Sequence, residues 1–214
     1  MTRRLLAEFI GTAFLLTGVI GSGIMAERLT DDVGVQLLAN AGATVGVLYA
    51  IILMFGPVSG AHFNPAVTIA DAWQGNRPWS DVGPYIAVQV AGGAIGAVAA
   101  NLMFELDAIN MSEKVRDGSG QYIAEVVATF GLVLLIFTLV RSGRDHLGAG
   151  AVAAYIGGAY WFTSSTSFAN PAVSITRTLS NTFAGIDPGS APAFVACQLV
   201  GMALAVVAAR VLYP

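Results

Sequence analysis

Apolar residues fall in six long runs along this chain, separated by shorter stretches rich in glycine, proline and polar residues. A helix needs roughly 20 residues to cross the hydrocarbon core of a bilayer. The pattern therefore predicts six membrane-spanning helices, near residues 5–26, 33–55, 84–105, 121–140, 147–165 and 191–212.

The two halves of the chain are similar to each other. The segment AEFIGTAFLL in the first half aligns with AEVVATFGLV in the second, which pairs Glu8 with Glu125. Each half contains three predicted spans, and an odd number of spans turns the second copy upside down relative to the first. We therefore expect one domain, residues 1–214, made of two inverted repeats at about 1–106 and 118–214.

The tripeptide Asn-Pro-Ala occurs once in each half, after the second span of each repeat. Asparagine is a favoured N-cap and proline a favoured first residue of a helix, so each copy predicts a helix start. Each helix can run for about ten residues, to near Ala72 and Ser180. Its length of about 15 Å is about half the thickness of the hydrocarbon core. The residues that start these helices are Asn64, Pro65, Ala66, Asn170, Pro171 and Ala172.

Two half-membrane helices that enter from opposite sides would meet with their N-termini at the midplane. Backbone at that depth that is not part of a spanning helix must be buried in protein or line a wet cavity. The sequence therefore predicts an all-α membrane protein with six transmembrane helices, two half-membrane helices and a pore centred on Asn64 and Asn170. The alternative is that each tripeptide only caps a helix at the membrane surface.

Composition agrees with a membrane protein and argues against other classes. The chain is 56% hydrophobic and 11% charged, its mean hydropathy is +0.71, and soluble domains average about 25% charged residues. A net charge of −3 without a basic cluster gives no reason to expect nucleic-acid binding. The single cysteine, the two separated histidines and the lack of metal-ligand spacing predict no metal site, no cofactor and no enzyme.

Basic residues in the short loops predict the orientation, because lysine and arginine accumulate on the cytoplasmic side of a membrane protein. One side would hold Arg28, Lys114 and Arg116, with Arg177 near it. The other side, which carries both termini, would hold more basic residues: Arg3, Arg4, Arg77, Arg141, Arg144 and Arg210. We therefore expect both termini in the cytoplasm and the chain in the inner (plasma) membrane of the cell.

The six predicted spans, AEFIGT in the first of them, and the motifs SGAHFNPAVT and ANPAV resemble the major intrinsic protein family, the aquaporins and aquaglyceroporins. The resemblance covers essentially the whole chain. It implies a passive channel in the lipid bilayer, usually a homotetramer with one pore per subunit. It also implies that Glu8 and Glu125 accept backbone N–H bonds from the loops before the half-helices. A proton relay is the alternative for two acids inside spans.

Converging helix N-termini would place positive partial charge at the pore centre and repel cations. The side-chain amides of Asn64 and Asn170 would donate hydrogen bonds to a solute oxygen between them. His62 precedes the first tripeptide, where we expect it to line the pore or fix the loop. A pH-dependent gate is the alternative for this histidine.

In most of the family, an arginine follows the second Asn-Pro-Ala and forms part of a narrow filter, whereas Val173 stands there in this chain. The family's spacing places the other filter positions at Thr44, Gly158 and Ser167. None of the four is large, so we expect a wide filter that admits glycerol, urea, arsenous or antimonous acid, and water. In having an apolar residue at this position, the chain resembles a bacterial branch of the family that is associated with arsenite permeation.

Arg177 lies four residues after Val173, one turn further along the same helix face. It is a candidate for the outer vestibule of the pore. The alternative is an arginine that extends to the membrane surface and pairs with Asp187.

Three other functions compete with a wide channel. A water-selective aquaporin would need a narrower filter than these residues predict. A secondary active transporter also uses inverted repeats and broken helices, but it would need an ion site at the midplane, which the sequence does not suggest. A purely structural membrane protein would conduct nothing.

Overall fold

Six long helices and two short ones form the part of the chain that this computed structural model describes, residues 1–213. Short 3-10 turns lie at Trp79–Asp81, Asp145–Leu147 and Arg177–Leu179. The helices are α1 (Thr2–Leu29), α2 (Val33–Ser59), α3 (Pro65–Trp73), α4 (Val82–Met103), α5 (Ser119–Arg141), α6 (Gly148–Phe162), α7 (Pro171–Thr176) and α8 (Ala191–Leu212). The predicted all-α fold, with six spans and two half-helices, is confirmed.

Five of the long helices, α1, α2, α4, α5 and α8, are long and apolar enough to cross a membrane. The remaining predicted span, 147–165, forms α6, which is shorter than expected at 15 residues. It ends because Thr163 adopts an extended conformation and starts a loop rich in serine and threonine. That loop carries the chain from α6 to the second Asn-Pro-Ala.

The ends of the helices define two sides of the molecule, which we call the terminal side and the loop side. On the terminal side, where α1 begins and α8 ends, Arg210 donates to the carbonyl of Trp73 at the end of α3. On the loop side, Arg28 near the end of α1 donates to the carbonyl of Phe104 at the end of α4. Consecutive long helices therefore run in alternating directions.

Glycines let α1 and α4 pack closely in the first half, and α5 and α8 in the second. Gly92 and Gly96 of α4 face the carbonyl groups of Phe9 and Ala13, with no room for a Cβ atom. Gly201 of α8 faces the backbone of α5 in the same way. Because lipid provides no hydrophobic drive for helix association, such close backbone contact is what holds neighbouring spans together.

The half-helices α3 and α7 approach each other from opposite sides. The end of α3 lies on the terminal side, whereas Arg177, after α7, donates to Ala184 on the loop side. Helix α3 ends one residue beyond the predicted Ala72. Helix α7 ends at Thr176 and continues as a 3-10 turn to Leu179, so the second half-helix is α-helical over a shorter range than predicted.

The loop at residues 104–118, between α4 and α5, lies across the end of the second half-helix. Ser112 donates its backbone N–H to the carbonyl of Thr178 at 2.8 Å, and Asp187 donates to the carbonyl of Lys114 at 2.8 Å. These backbone bonds attach the long loop to residues 178–187 and close the loop side of the molecule around the second half-helix.

Gly92→Ala should destabilise the protein, because the added Cβ would collide with the backbone of α1. We expect a loss of about 1–3 kcal/mol in the free energy of unfolding, typical of overpacking. Gly83→Ala in the same helix is the control, since no atom lies within 4 Å of a Cβ there, and its change should stay within about 1 kcal/mol. Thermal unfolding in detergent measures both, and equal melting temperatures would contradict the close packing.

Candidate functional site

The two motif asparagines cap the half-helices whose starts they were predicted to mark. Oδ1 of Asn64 accepts the backbone N–H of Ala66 at 2.9 Å. Oδ1 of Asn170 accepts those of Ala172 at 3.0 Å and Val173 at 3.3 Å. Each cap satisfies N–H groups that have no partner within the helix, and it fixes the asparagine at the tip.

The amide nitrogens of the same asparagines cross to the opposite half of the chain. Nδ2 of Asn64 donates to the carbonyl of Ala169 at 2.8 Å, and Nδ2 of Asn170 donates to the carbonyl of Phe63 at 2.7 Å. A side-chain amide carries two hydrogens. One hydrogen therefore joins the two halves, and one remains for a solute. Sequence reasoning had reserved the whole NH₂ group for the solute.

The loops before α3 and α7 adopt an unusual backbone. Ala61 and Phe63 have φ values of 51° and 49°, and the equivalent Ser167 and Ala169 have 52° and 49°. Left-handed conformations of residues other than glycine cost about 1–2 kcal/mol each. The surrounding structure must therefore hold both loops in place.

Glu8 of α1 holds the first loop. Its Oε1 accepts the hydroxyl of Ser59 at 2.6 Å and the backbone N–H of His62 at 3.0 Å. Its Oε2 accepts the backbone N–H of Phe63 at 2.7 Å and Nε2 of Gln89 at 2.9 Å. Both carboxylate oxygens of this fully buried side chain are thus occupied by donors.

Glu125 of α5 holds the second loop in the same way. It accepts the backbone N–H groups of Phe168 and Ala169, each at 2.9 Å, and Nε2 of Gln198 at 2.6 Å. The side chain is also fully buried. These contacts are those expected of a loop scaffold. From Glu8 the hydrogen bonds continue through Nε2 of Gln89 to Oγ1 of Thr68 at 3.0 Å.

One cavity of about 630 Å³ passes the tips of both half-helices. It is lined by Asp71 and Arg77 on the terminal side, by Asn64 and Asn170, and by Arg177 on the loop side. Its walls between these polar points are mostly aliphatic and include Leu15, Val19, Leu48, Leu132, Ile136 and Ile156. The arrangement offers a small solute a few hydrogen-bonding points in an otherwise apolar channel.

Three of the four predicted filter residues, Thr44, Ser167 and Val173, line this cavity, but Gly158 does not. Gly158 is exposed on the outer face of α6, and Tyr160 lines the cavity instead. Residues that are two positions apart in a helix are rotated by about 200° around its axis, so they lie on nearly opposite faces. Gly158 was predicted to belong to a filter without aromatic residues. The structure instead places the aromatic Tyr160 on the cavity and Gly158 outside it.

Tyr160 also makes a specific contact in the cavity. Its hydroxyl lies 3.1 Å from Oγ1 of Thr44 on α2, so the two side chains join across the cavity wall. Tyr160 is 3% exposed, which places its ring inside the bundle. A large aromatic side chain therefore forms part of the cavity wall, together with Val173.

Arg177 is 2% exposed and lines the cavity. Its Nε donates to the carbonyl of Ala184, and its guanidinium lies over the ring of Phe168, with Cζ 3.5 Å from the ring centroid. Asp187 instead accepts the backbone N–H groups of Gly189 and Ser190 before α8. The alternative of a surface arginine paired with Asp187 is therefore wrong.

Lys114 and Arg116 of the long loop lie near Arg177, and sequence reasoning missed their role. Lys114 donates to the carbonyl of Phe183 at 2.9 Å, and Nε of Arg116 donates to that of Gly185 at 2.8 Å. Burial, together with the charges of Arg116 and Arg177, lowers the pKa of Lys114 to about 8. Burial lowers the pKa of Arg116 to about 10. Three basic side chains therefore lie close together at the loop-side end of the molecule, and of these Arg177 lines the cavity.

The terminal side of the cavity carries a different polar cluster. Nδ1 of His62 lies 3.0 Å from Oγ1 of Thr68, and its Nε2 lies 3.4 Å from Oδ2 of Asp71. Arg77 pairs with the same Asp71 oxygen at 3.1 Å and stacks on Tyr85. His62 thus both lines the cavity and fixes its loop. Within residues 1–213, no three side chains of His, Cys, Asp or Glu converge as metal ligands.

Comparison with known proteins gives a consistent picture. A sequence model described as "Major intrinsic protein" matches residues 1–164. The chain is 47% identical to the aquaglyceroporin AqpS of Rhizobium meliloti, over 98% of this chain and 90% of that protein. It is 32% identical to a glycerol uptake facilitator protein of Streptococcus pneumoniae, over 65% of each. The fold matches that of an aquaglyceroporin from Plasmodium falciparum with a TM-score of 0.72 at 18% identity, covering 99% of this chain and 96% of that one.

Glu125→Gln should destabilise the protein strongly, because an amide presents hydrogens to the donors that the carboxylate accepts. We expect a loss of about 3 kcal/mol or more, since hydrogen bonds to charged groups contribute about 1.5–3 kcal/mol each. Glu113→Gln, in the exposed part of the long loop, is the control. Thermal unfolding and proton flux should be measured together. A stable variant with altered proton flux alone would favour the relay.

Proposed function

The chain belongs to the major intrinsic protein family, and on that basis we propose that it is a passive transmembrane channel for small uncharged solutes. The observation that carries the proposal is the cavity that passes between the capped tips of α3 and α7, with aliphatic walls and polar groups at a few points. Such a conduit suits a small neutral molecule with some hydrogen-bonding capacity.

The centre of the pore would be Asn64 and Asn170, at the helix starts formed by residues 65–66 and 171–172. Two helix N-termini, each with roughly half a positive charge, meet at this point and oppose cations. The remaining amide hydrogen of each asparagine would donate to the oxygen of a passing water or hydroxyl group. A water molecule that accepts both bonds cannot also relay a proton through the centre.

The solutes that we propose are glycerol, urea, water and the neutral hydroxides arsenous and antimonous acid. Val173 stands at the filter position where most of the family has an arginine, which is larger and charged. The side chains of the other filter residues, Thr44 and Ser167, are small. The relatives named an aquaglyceroporin and a glycerol uptake facilitator support the glycerol assignment. The metalloid hydroxides rest on the resemblance to the bacterial branch with an apolar filter residue.

Arg177 would add a fixed positive charge at the loop-side end of the pore, where the motif arginine is missing. The buried Glu8 and Glu125 would be scaffold residues, and His62 would shape the pore loop. We further propose that the chain is one domain of two inverted repeats in the inner (plasma) membrane, with both termini cytoplasmic. We also propose that the protein forms a homotetramer, as expected from the family.

A water-selective channel is a second candidate, because the structure places Tyr160 and Arg177 on the cavity. An aromatic side chain and a guanidinium narrow the passage more than the four expected filter residues would. The two candidates differ in one property, the passage of solutes larger than water.

Stopped-flow light scattering on proteoliposomes tests the proposal. We expect glycerol, urea and arsenous acid, as well as water, to cross faster than in empty liposomes, with no need for a sodium or proton gradient. Water as the sole permeant would favour the water-selective candidate. A requirement for an ion gradient would indicate a secondary transporter, and no flux at all would sink both channel candidates.

Asn170→Asp and Asn64→Asp should each raise the leak of protons and small cations. A carboxylate opposes the positive helix tips, and lowering the barrier by about 1–2 kcal/mol gives roughly a tenfold higher leak. Asn181→Asp, in an exposed loop, is the matched control. Proton flux into liposomes with an internal pH dye measures the effect. Unchanged leak in both motif variants would remove the asparagines from the cation barrier.

A further inference from the structure

Two arginines on the terminal side of the molecule converge on one uncharged side chain. Nη2 of Arg141, the last residue of α5, donates to Oε1 of Gln74 at 3.0 Å. Nε of Arg210, in the last turn of α8, donates to the same oxygen at 3.2 Å. Both arginines are exposed. Two positive charges therefore lie side by side around a neutral amide, at the ends of two neighbouring spans.

The described part of the chain supplies no acid to balance these charges. Every ion pair within residues 1–213 involves Asp71 or Asp81, and none involves Arg141 or Arg210. Like charges held close together repel each other, and an anion bound by both removes the repulsion. Guanidinium groups bind phosphate oxygens well because their N–H donors form a planar fork. The pair therefore fits a phosphate group.

Helix capping accounts for part of this arrangement. Nη1 of Arg141 donates to the carbonyl of Tyr213 after α8, and Nη2 of Arg210 donates to that of Trp73 at the end of α3. Cations at helix C-termini are favourable. Within residues 1–213, these bonds leave Nε of Arg141 and Nη1 of Arg210 without a partner. Capping thus holds both guanidinium groups in place and leaves each with a donor for a ligand.

The surroundings of the two arginines are those of a membrane surface. Trp73, next to Gln74 in the chain, is 41% exposed, and tryptophan is enriched at the depth of the lipid headgroups. Val207 lies one turn before Arg210 on the same face of α8 and is 57% exposed. An apolar side chain that faces outward below the basic pair suits the acyl chains of a lipid. A phosphate bound here would therefore be that of a lipid headgroup.

We propose that Arg141, Arg210 and Gln74 form a binding site for the phosphate of an anionic phospholipid in the leaflet on the terminal side. A zwitterionic headgroup carries a positive amine that the two arginines repel, so the site prefers an anionic lipid. Because Gln74 directly follows α3, the bound headgroup fastens the end of this half-helix to α5 and α8. The site is independent of which solute crosses the pore.

Quenching of tryptophan fluorescence by brominated lipids tests the site, because Trp73 lies beside it. The chain has three tryptophans, so Trp79→Phe and Trp161→Phe together leave Trp73 as the single reporter. This reporter protein is reconstituted in phosphatidylcholine vesicles with increasing shares of brominated phosphatidylglycerol or brominated phosphatidylcholine. The ratio of the two quenching affinities measures the preference for the anionic lipid.

We expect the reporter protein to prefer phosphatidylglycerol. Arg141→Gln and Arg210→Gln should each lower the preference about fivefold, the contribution of one arginine near an anionic membrane surface. Gln74→Glu should lower it too, because a carboxylate between the guanidinium groups takes the place of the lipid phosphate. This variant adds an internal ion pair, so it tests the site even if the arginine variants fail to assemble. Arg3→Gln, which removes an exposed charge at the start of α1, is the matched control and should keep the preference.

Equal affinities of the reporter protein for the two lipids would overturn the site. Variants at Arg141, Arg210 and Gln74 that lose no more preference than Arg3→Gln would overturn it as well. Inorganic phosphate, added at constant ionic strength, distinguishes a lipid phosphate from a soluble anion. We expect it to leave the preference unchanged, and a preference that it abolishes would overturn the assignment to a lipid. Lipid binding is measured here without solute flux, so either result leaves the channel proposal to its own test.

Discussion

Backbone that leaves the helical conformation inside a bilayer must find partners for its N–H groups, and two buried glutamates supply them here. Glu8 and Glu125 each accept two consecutive backbone N–H groups from the loop before a half-helix. These bonds help to offset the strain of the left-handed residues in both loops. The positions of the asparagine caps, the tips of α3 and α7, and the cavity between them all follow from this arrangement.

The two halves share this scaffold but differ in charge at their ends. Asp71 and Arg177 occupy equivalent positions, each seven residues after its motif asparagine. Asp71 is paired with Arg77, whereas Arg177 lies among further cations of the long loop. The duplicated framework therefore provides a common geometry at the centre, and the side chains near its ends give each side of the cavity its own chemistry.

The fold could be predicted from the sequence because its signals are local: long apolar runs, and asparagine followed by proline at each half-helix. The positions of Gly158 and Tyr160 could not, because they depend on where α6 ends and how many residues the next loop uses. Nor could the burial of Arg177, whose carbonyl partner belongs to a loop that folds back from seven residues later. Arg116 reaches the same region from the loop at residues 104–118, which has no regular pattern to place it. In each case the missing information is the path of a loop that has no regular sequence pattern.

The crossed bonds from Asn64 to Ala169 and from Asn170 to Phe63 have a consequence for biosynthesis. A ribosome delivers the first re-entrant loop to the membrane more than a hundred residues before the group that accepts its amide hydrogen. Until the C-terminal half has been inserted, the side-chain amide of Asn64 therefore lacks the Ala169 carbonyl that accepts its hydrogen. Truncated chains would not yield half a conduit, since each half supplies the final bond that the other one lacks.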